Sequence, residues 1–410
     1  LCHTGKVDLS SLSYGKNDLL RHLTEVQGGL VSLQPIRYAP KSLKNVSNTR
    51  VYPVSLSVAD TMCHAPANKK KLEDLGNAIG VEKISVDKSI KNHMKQLLAA
   101  DPAFFFEYAS NDSIITLLYA SSLYRYNNAI PVTVTSATAK VMKNTMMDYL
   151  ACDSSKKFNR KYRGLELVNH GKFKLKDRPG FLDATSLEPI SNKANAIQYY
   201  ASQAYHGGYN ICTEVGSFHY VTYDYDLKNA YPTAMCLVPD INWENPIRSE
   251  VAYRDLTLGD FKEDGRVNPI KPFVGYIRFK FPADVAYPCI PIIVDGVPVY
   301  PLTSDGMDGV YAAGPYIWLA LKLGAHVYCD RGYFLNVLYR NDSSEVSRSL
   351  SAAVKQLVVD RNKAKREKGK GSLEELILKT MVNSGYGKTS QNVIQKTSWS
   401  AYKDCMESLG

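Results

Sequence analysis

LKTMVNSGYGKTSQ, residues 378–391, is the stretch from which the fold follows. Within it Lys379, Asn383 and Tyr386 recur at positions i, i+4 and i+7. On a helix those positions share one face. Ser372 followed by Glu375 fits a capping box at the start of such a helix. We therefore predict a helix over 372–387 that carries a cation, an amide and a phenol side by side.

A second helix is predicted just before it, over VSRSLSAAVKQLVVDRNKAKREKG (346–369). A glycine-containing turn at 369–371 makes the two helices an antiparallel pair. Arg361 and Lys365 share a face of the first helix, and Lys379 lies on the other helix. Three cations converging on one cleft would clamp a triphosphate. The alternative is an exposed basic face, since Lys363, Arg366, Lys368 and Lys370 are cationic as well.

YDYDLKNAYPTAM (223–235) supplies a carboxylate. We predict that SFHYVTYDYDL (217–227) is a buried strand that ends at Asp226, with Asp224 on the same strand face. A strand end is a rigid place for a ligand to Mg²⁺ or Mn²⁺, and the carbonyl oxygen of Leu227 could add a second ligand. The alternative is that Asp226 is a strand-end cap or half of a salt bridge.

These two segments resemble motifs B and A of family B DNA polymerases, and more closely the protein-primed branch of viruses and linear plasmids. Residues 226–232 keep the Asp, Tyr and Pro of Asp-x-x-Ser-Leu-Tyr-Pro, with Asn and Ala in place of Ser and Leu. The resemblance implies that Asp226 holds metal and that Tyr231 lies under the sugar of the nucleotide and excludes a 2′-hydroxyl. It assigns Lys379 to the triphosphate. It also assigns Asn383, Tyr386 and Gly387 to the nucleotide pocket, where Gly387 allows close backbone approach.

Tyr205-His206-Gly207-Gly208 lies shortly before Asp226. It resembles the Tyr-x-Gly-Gly segment that joins exonuclease and polymerase domains in this family and contacts the template strand. Tyr205, Gly207 and Gly208 are therefore expected to bind DNA. Without the resemblance, paired glycines indicate only a turn.

Tyr108-x-x-x-Asp112 is similar to the third exonuclease motif of the same family, in which the Asp holds a metal and the Tyr orients the attacking water. The spacing puts both side chains on one helical face. Asp8, in His3-x-x-x-x-Asp8-Leu9, is the candidate for the second motif, with His where Asn is usual. The first motif would precede residue 1. Tyr-x-x-x-Asp is also common as a purely structural pattern.

The fold class implied by the resemblance is α+β. A ribonuclease-H-like 3′–5′ exonuclease domain (incomplete) is followed by a right-hand palm and helical-hairpin fingers. We predict an exonuclease-like domain at 1–165, a connector at 166–215, a palm at 216–345, fingers at 346–387 and a return to the palm at 388–410. The region of about 240–345 is expected to hold an insertion that touches a priming protein, or else an elaborated palm surface. Other predicted elements are strands at 51–62, 273–282 and 324–335, helices at 70–80 and 102–126, and a basic connecting stretch at 152–178.

Composition sets limits on the class of protein. The chain has 410 residues, 45% of them hydrophobic, with net charge +10 and pI near 9.0, so a globular protein that tolerates phosphate ligands is expected. The eight cysteines show no C-x-x-C spacing, which favours reduced thiols and no zinc site. No long apolar run or signal peptide is found, so we expect a cytoplasmic protein of a virus-infected cell or of the host of a linear plasmid, with no membrane partner.

The sequence therefore predicts a DNA-directed DNA polymerase acting on a DNA template and primer with deoxynucleoside triphosphates, and on a terminal (priming) protein. The family's second carboxylate motif, Tyr-x-Asp-Thr-Asp, is not seen before Gly410. We therefore expect this stretch alone to catalyse neither polymerisation nor proofreading. Two rival interpretations are a DNA-binding nuclease and a non-catalytic module that grips nucleic acid or a priming protein.

Overall fold

The computed structural model describes residues 1–3, 23–26, 29–32, 36–38, 54–66, 69–124, 130–174, 181–210, 212, 215–227, 229–306, 308–340 and 343–389. The chain divides into two compact units. The first comprises Leu1–Met142 and Lys355–Lys388, and the second comprises Lys143–Val354 and Thr389–Gly410. The first unit is thus built from two segments that are far apart in sequence.

The N-terminal elements are short strands followed by helices. They are β1 (Thr24–Val26), β2 (Gly29–Val31), β3 (Ile36–Tyr38), β4 (Val54–Leu56), a 3₁₀ turn (Thr61–His64), α1 (Leu72–Ile79), α2 (Lys88–Lys91), α3 (Met94–Ala100), α4 (Pro102–Tyr124) and α5 (Val134–Tyr149). β1 pairs with β2 and β3 with β4, both antiparallel. The strand predicted at 51–62 is therefore limited to β4 within the described residues.

The remaining elements alternate helices with antiparallel strands. They are α6 (Ser155–Phe158) continued by a π-helical turn (Asn159–Arg163), β5 (Leu165–Lys174), β6 (Phe181–Pro189), α7 (Asn192–Gln203), α8 (Ala230–Leu237), β7 (Ile247–Asp255), β8 (Lys262–Glu263), β9 (Arg266–Val267), β10 (Phe273–Lys280), β11 (Ile292–Val294), β12 (Val297–Val299), β13 (Val310–Ala313), α9 (Gly314–Lys322), β14 (His326–Leu335), α10 (Ser349–Lys368) and α11 (Leu373–Thr389). The predicted mixture of helices and strands is confirmed. The assignment of exonuclease, palm and fingers stays a prediction.

The core of the first unit joins its two sequence segments. Leu75 of α1 and Ile115 and Tyr119 of α4 are buried together with Leu373 at the start of α11. The Tyr119 hydroxyl donates a hydrogen bond of 3.0 Å to the carbonyl oxygen of His64, which anchors α4 to the 3₁₀ turn. The apolar stripe predicted for 70–80 is confirmed as the buried face of α1, and Gly80 ends that helix in the left-handed region at φ 74°.

The core of the second unit lies on a four-stranded antiparallel sheet of order β13-β10-β14-β7. β10 and β14 are the two predicted strands at 273–282 and 324–335, and both are confirmed. Buried and more exposed residues alternate at the end of β10 and the start of β14, whereas Phe273–Gly275 and Gly332–Leu335 are buried in succession. There the second face of the sheet is covered too, because Val274 and Tyr333 pack with Ile197 of α7. Phe273, Ile277 and Phe279 of β10 pack with Val327 and Ile317 in this core.

The helix predicted at 102–126 is confirmed as α4, which begins at Pro102. At its start Asp101 Oδ1 accepts the N–H of Phe104 at 3.0 Å. The basic stretch predicted at 152–178 contains α6 and β5, and β5 pairs with β6 further along the chain. Phe158 of α6 is buried and stacks on Tyr162, with ring centroids 5.2 Å apart. Its role as a connector between domains stays a prediction.

No helix in the described part of the chain is long and apolar enough to cross a bilayer.

Candidate functional site

The segment around Asp226 is not a strand. Residues 215–227, apart from the short bend positions, have no regular structure, and the described residues among them are all exposed. Aromatic and β-branched residues form a strand only where a neighbouring strand pairs with them. The described neighbours in the main sheet are β13, β10, β14 and β7, so the prediction of a buried strand at 217–227 is wrong.

Asp226 and Asp224 consequently face solvent. Asp226 makes no hydrogen bond or ion pair with any part of the chain that the structure describes. The carbonyl oxygen of Leu227 accepts the N–H of Ala230 at 3.3 Å, which starts the turn into α8. Asn229 takes the left-handed conformation at φ 56° at that turn, and Tyr231 follows in the first turn of α8 with 51% of its surface exposed.

The Tyr205–Gly208 loop lies against Tyr231. A Cβ added to Gly208 would stand 3.2 Å from the hydroxyl oxygen of Tyr231, so glycine permits this approach. Asn210 Nδ2 donates to the carbonyl oxygen of Gly208 at 3.2 Å, which closes the loop. The structure thus brings together two predicted motifs, the paired glycines and the tyrosine of α8, within the second unit. By contrast, a Cβ at Gly207 would meet open space.

The predicted helix pair is confirmed as α10 and α11, with Ser372 and Glu375 at the start of α11. The Ser372 hydroxyl oxygen accepts the N–H of Glu375 at 3.4 Å, and Glu375 Oε2 accepts the N–H of Gly371 at 3.3 Å. The cap therefore has the predicted residues, but the carboxylate reaches back to Gly371 in the turn.

Arg361 of α10 is bound to Glu375 across the pair. Its Nε donates to Glu375 Oε1 at 2.9 Å, and the Glu375 side chain is only 5% exposed. The charge of Lys379, four residues further along α11, also lowers the pKa of Glu375. Lys365, Lys379, Asn383 and Gly387 are exposed, and Tyr386 is half-buried.

The start of α10 is held by Asp240, which is 4% exposed. Its carboxylate accepts the hydroxyls of Ser347 and Ser349 at 2.6 Å each and the N–H of Ser349 at 2.8 Å. These three hydrogen bonds cap the start of the helix, and they also compensate the buried negative charge of Asp240.

The Tyr108 and Asp112 side chains meet on one face of α4, as their spacing predicts. Burial raises the pKa of the Tyr108 phenol, and the adjacent Asp112 carboxylate, to which the phenol hydrogen-bonds, raises that pKa further. Lys83 forms an ion pair with Asp112, and its Nζ lies 4.8 Å from the centre of the Tyr108 ring. Asn111 fixes the segment that carries Lys83, because its Nδ2 donates to the carbonyl oxygen of Glu82 and its Oδ1 accepts the N–H of Ile84. Asp8 lies outside the described residues.

The sequence does not predict the structural roles of three residues in these clusters. Lys83 carries no local signal, because it reaches Asp112 only through the packing of its segment on α4. Glu375 is predicted as a cap but not as the partner of Arg361. Asp240 could have been found from the Ser-x-Ser pattern at 347–349, which suits a helix start but does not reveal a distant carboxylate.

No group of three or more His, Cys, Asp or Glu side chains suited to a metal occurs among the described residues. Mg²⁺ usually binds proteins through one or two carboxylates and completes its shell with water and substrate phosphates. The exposed carboxylate of Asp226 fits that mode, with Asp224 two residues away. Asp226 belongs to the second unit and Lys379 to the first, and their convergence in one cleft stays a prediction.

Comparison with known proteins gives one relative by sequence. The primer-independent DNA polymerase PolB of Escherichia coli is 27% identical over 379 residues, which is 87% of this chain and 39% of that protein. This chain therefore spans well under half of that relative's length. A solved structure of phi29 DNA polymerase, in an orthorhombic crystal form, matches with a TM-score of 0.49 at 13% identity, over 90% of this chain and 53% of that chain. No protein-family model matches.

Proposed function

We propose that the chain is part of a DNA-directed DNA polymerase of family B. The observation that carries this proposal is the sequence similarity to a DNA polymerase along most of the chain. The contact of the Gly208 loop with Tyr231, and the pair of cations beside Glu375, support it.

In the proposed reaction a 3′-hydroxyl, or a hydroxyl of a priming protein, attacks the α-phosphate of a deoxynucleoside triphosphate and pyrophosphate leaves. Asp226 would hold Mg²⁺ or Mn²⁺, which supplies charge stabilisation to the transferring phosphoryl group. Arg361, Lys365 and Lys379 meet the phosphates, because cations aimed at developing charge stabilise the transition state. Tyr231, with Asn383, Tyr386 and Gly387, shapes the nucleotide pocket, while Tyr205, Gly207 and Gly208 contact the template.

Protein priming is the finer part of the proposal. Its support is the similarity of the sequence motifs to the protein-primed branch, together with the long region 240–345 between the two nucleotide motifs. In that region β7, β10, β13 and β14 form the main sheet. The relative described as primer-independent is consistent with synthesis that starts without a nucleic-acid primer. A terminal protein is the proposed partner.

A second activity, 3′–5′ exonuclease, is favoured by the cluster in α4. Tyr108 hydrogen-bonds to Asp112, and Lys83 neutralises that carboxylate. We propose that Asp112 would hold a metal for this reaction in place of its ion pair with Lys83, with Tyr108 orienting water and Asp8 contributing from the preceding motif.

The test uses the full-length protein that contains this chain, with primer extension and 3′–5′ digestion measured side by side. Asp226→Asn is expected to lower extension by about a thousandfold or more and to leave digestion intact, because a metal ligand supplies several kcal/mol to the transition state. Asp112→Asn is expected to do the reverse. Thermal unfolding should be unchanged in Asp226→Asn, since Asp226 is exposed.

Extension that survives in Asp226→Asn would contradict the proposed role of Asp226 as a metal ligand. A wild-type protein that digests DNA but never extends a primer would favour the nuclease interpretation. One that binds DNA without either reaction would favour the non-catalytic module.

A further inference from the structure

Glu375 is a buried carboxylate that forms an ion pair with Arg361, one of the cations that the proposed function assigns to phosphates. It is 4% exposed as a residue, although it lies one turn into a helix whose neighbouring Glu374 is exposed. Charged side chains are rarely buried unless they are paired. Its burial therefore needs an explanation beyond helix capping, for which an exposed residue at the same position suffices.

Both oxygens of this carboxylate are in use. Oε1 accepts Nε of Arg361 at 2.9 Å, and Oε2 accepts the N–H of Gly371 at 3.3 Å. Gly371 has φ 87°, a backbone conformation that glycine adopts without strain, and it ends the turn between the helices. The carboxylate is thus fixed to the turn on one side and holds the guanidinium on the other.

The mode of this ion pair matters, because guanidinium has three nitrogens in a planar fork. Glu375 contacts the Nε edge. The two terminal nitrogens make no other hydrogen bond within the described residues, and the Arg361 side chain is 25% exposed. The Nε edge of the guanidinium is therefore fixed, while the two terminal nitrogens keep their donors for a further acceptor.

The electrostatics keep the carboxylate ionised. Burial by itself would raise the pKa of Glu375, but hydrogen bonds from Arg361 and Gly371 and the charges of Arg361 and Lys379 outweigh burial and lower that pKa below its ordinary value. At neutral pH the group is an anion that orients the guanidinium of Arg361.

We propose that Glu375 is a positioning residue for the incoming nucleotide: it holds the Nε edge of Arg361 so that the terminal nitrogens receive a triphosphate oxygen. This inference rests on the proposed function, because it takes the ligand of Arg361 to be a nucleoside triphosphate. If the carboxylate only linked the two helices, it would stabilise the pair and leave nucleotide affinity unchanged.

The experiment measures single-nucleotide incorporation by the full-length protein, with KM for the deoxynucleoside triphosphate and kcat determined separately. Glu375→Gln is expected to raise KM about tenfold, the equivalent of one hydrogen bond to a charged group, with a smaller change in kcat. Ser372→Ala is the matched control, because it removes the bond to the N–H of Glu375 and leaves the ion pair in place. It is expected to lower the unfolding temperature and leave KM unchanged.

Arg361→Ala separates the inference from the function on which it rests. In the Arg361→Ala background, Glu375→Gln should raise KM no further, since coupled residues are not additive. Arg361→Ala with a raised KM, alongside Glu375→Gln with normal KM, would overturn this inference alone. Arg361→Ala with normal KM would overturn the proposed role of Arg361 as well. If Glu375→Gln is not folded at the assay temperature, Glu375→Asp replaces it, and an unchanged KM in that variant would also overturn the inference.

Discussion

At the scale of single residues, the closest link between predicted motifs is the approach of Gly208 to Tyr231. The phenol oxygen would stand 3.2 Å from a Cβ at position 208, which is tighter than ordinary van der Waals contact. Gly208 does not have a positive φ, so alanine is compatible with the backbone, and the close approach alone decides the outcome. The ring of Tyr231 is half exposed and is therefore able to shift by a few tenths of an ångström.

We expect Gly208→Ala to lower kcat/KM for nucleotide incorporation by about threefold to tenfold, since an off-rotamer side chain costs of the order of 1 kcal/mol. In the Tyr231→Phe background the hydroxyl is gone, and the same substitution should have little further effect. Steady-state kinetics of the four proteins checks this. An equal loss in both backgrounds would show that Gly208 acts without Tyr231.

Which side chains lie next to each other at the site can be predicted from the sequence only where both belong to one helix and their spacing puts them on the same face. Tyr108 and Asp112 share a face because they are four apart, and that is a local property. The partners of these residues are not predictable in the same way. Lys83 meets Asp112 and Arg361 meets Glu375 through the packing of separate segments, which no local pattern encodes.

At the scale of elements, α10 depends on a carboxylate from far earlier in the chain. Asp240 is buried and accepts three hydrogen bonds from Ser347 and Ser349 at the first residues of that helix. Its own N–H donates to the carbonyl oxygen of Ser347 at 2.9 Å, and its carbonyl oxygen accepts the N–H of Leu338 at 2.7 Å. Asp240 therefore joins three stretches of the second unit.

Asp240→Ala is expected to lower the free energy of unfolding by about 2–4 kcal/mol, because it leaves buried donors without an acceptor. Urea denaturation followed by circular dichroism measures the change. Ser343→Ala is the control, since the Ser343 hydroxyl donates to the carbonyl oxygen of Arg340 and accepts the N–H of Glu345 within an exposed turn. A loss for Asp240→Ala no larger than that of the control would contradict the capping role.

Helices are predicted from the sequence more successfully than strands, and the reason is physical. α1 is specified by the apolar periodicity of its own residues, and the start of α11 is marked by the adjacent Ser372 and Glu375. A strand needs a partner, and the aromatic run at 217–227 has none in the described sheet. The β5–β6 hairpin is not predicted for the opposite reason. Its two strands do pair with each other, but the sequence around β5 is too basic to show a strand pattern.

At the scale of the whole molecule, the net charge is +10, but only some of the cationic side chains that the structure describes lack a carboxylate partner. Arginines on the main sheet are paired with carboxylates, as in Arg278 with Asp330 and Arg331 with Glu250. Lys363 and Lys370, near the turn between α10 and α11, are exposed and have no carboxylate partner in the described part of the chain. Net charge therefore understates how strongly this turn should attract phosphates.

Replacing both Lys363 and Lys370 by alanine should weaken DNA binding and reduce the slope of log affinity against log salt by about 0.9 for each phosphate that the variant no longer neutralises. Fluorescence anisotropy with labelled duplex DNA over a range of salt concentrations gives that slope. Lys280→Ala is the comparison, because Lys280 already lies 4.0 Å from Asp305. An unchanged slope in the double variant would rule out a phosphate role for the turn.

The discontinuous first unit has a consequence for synthesis on the ribosome. Leu75, Ile115 and Tyr119 emerge early, yet their core is completed by Leu373. All of Lys143–Val354 must be translated in the meantime. The early helices therefore keep apolar surface uncovered during that interval, which is when a chaperone would be most useful to the nascent chain.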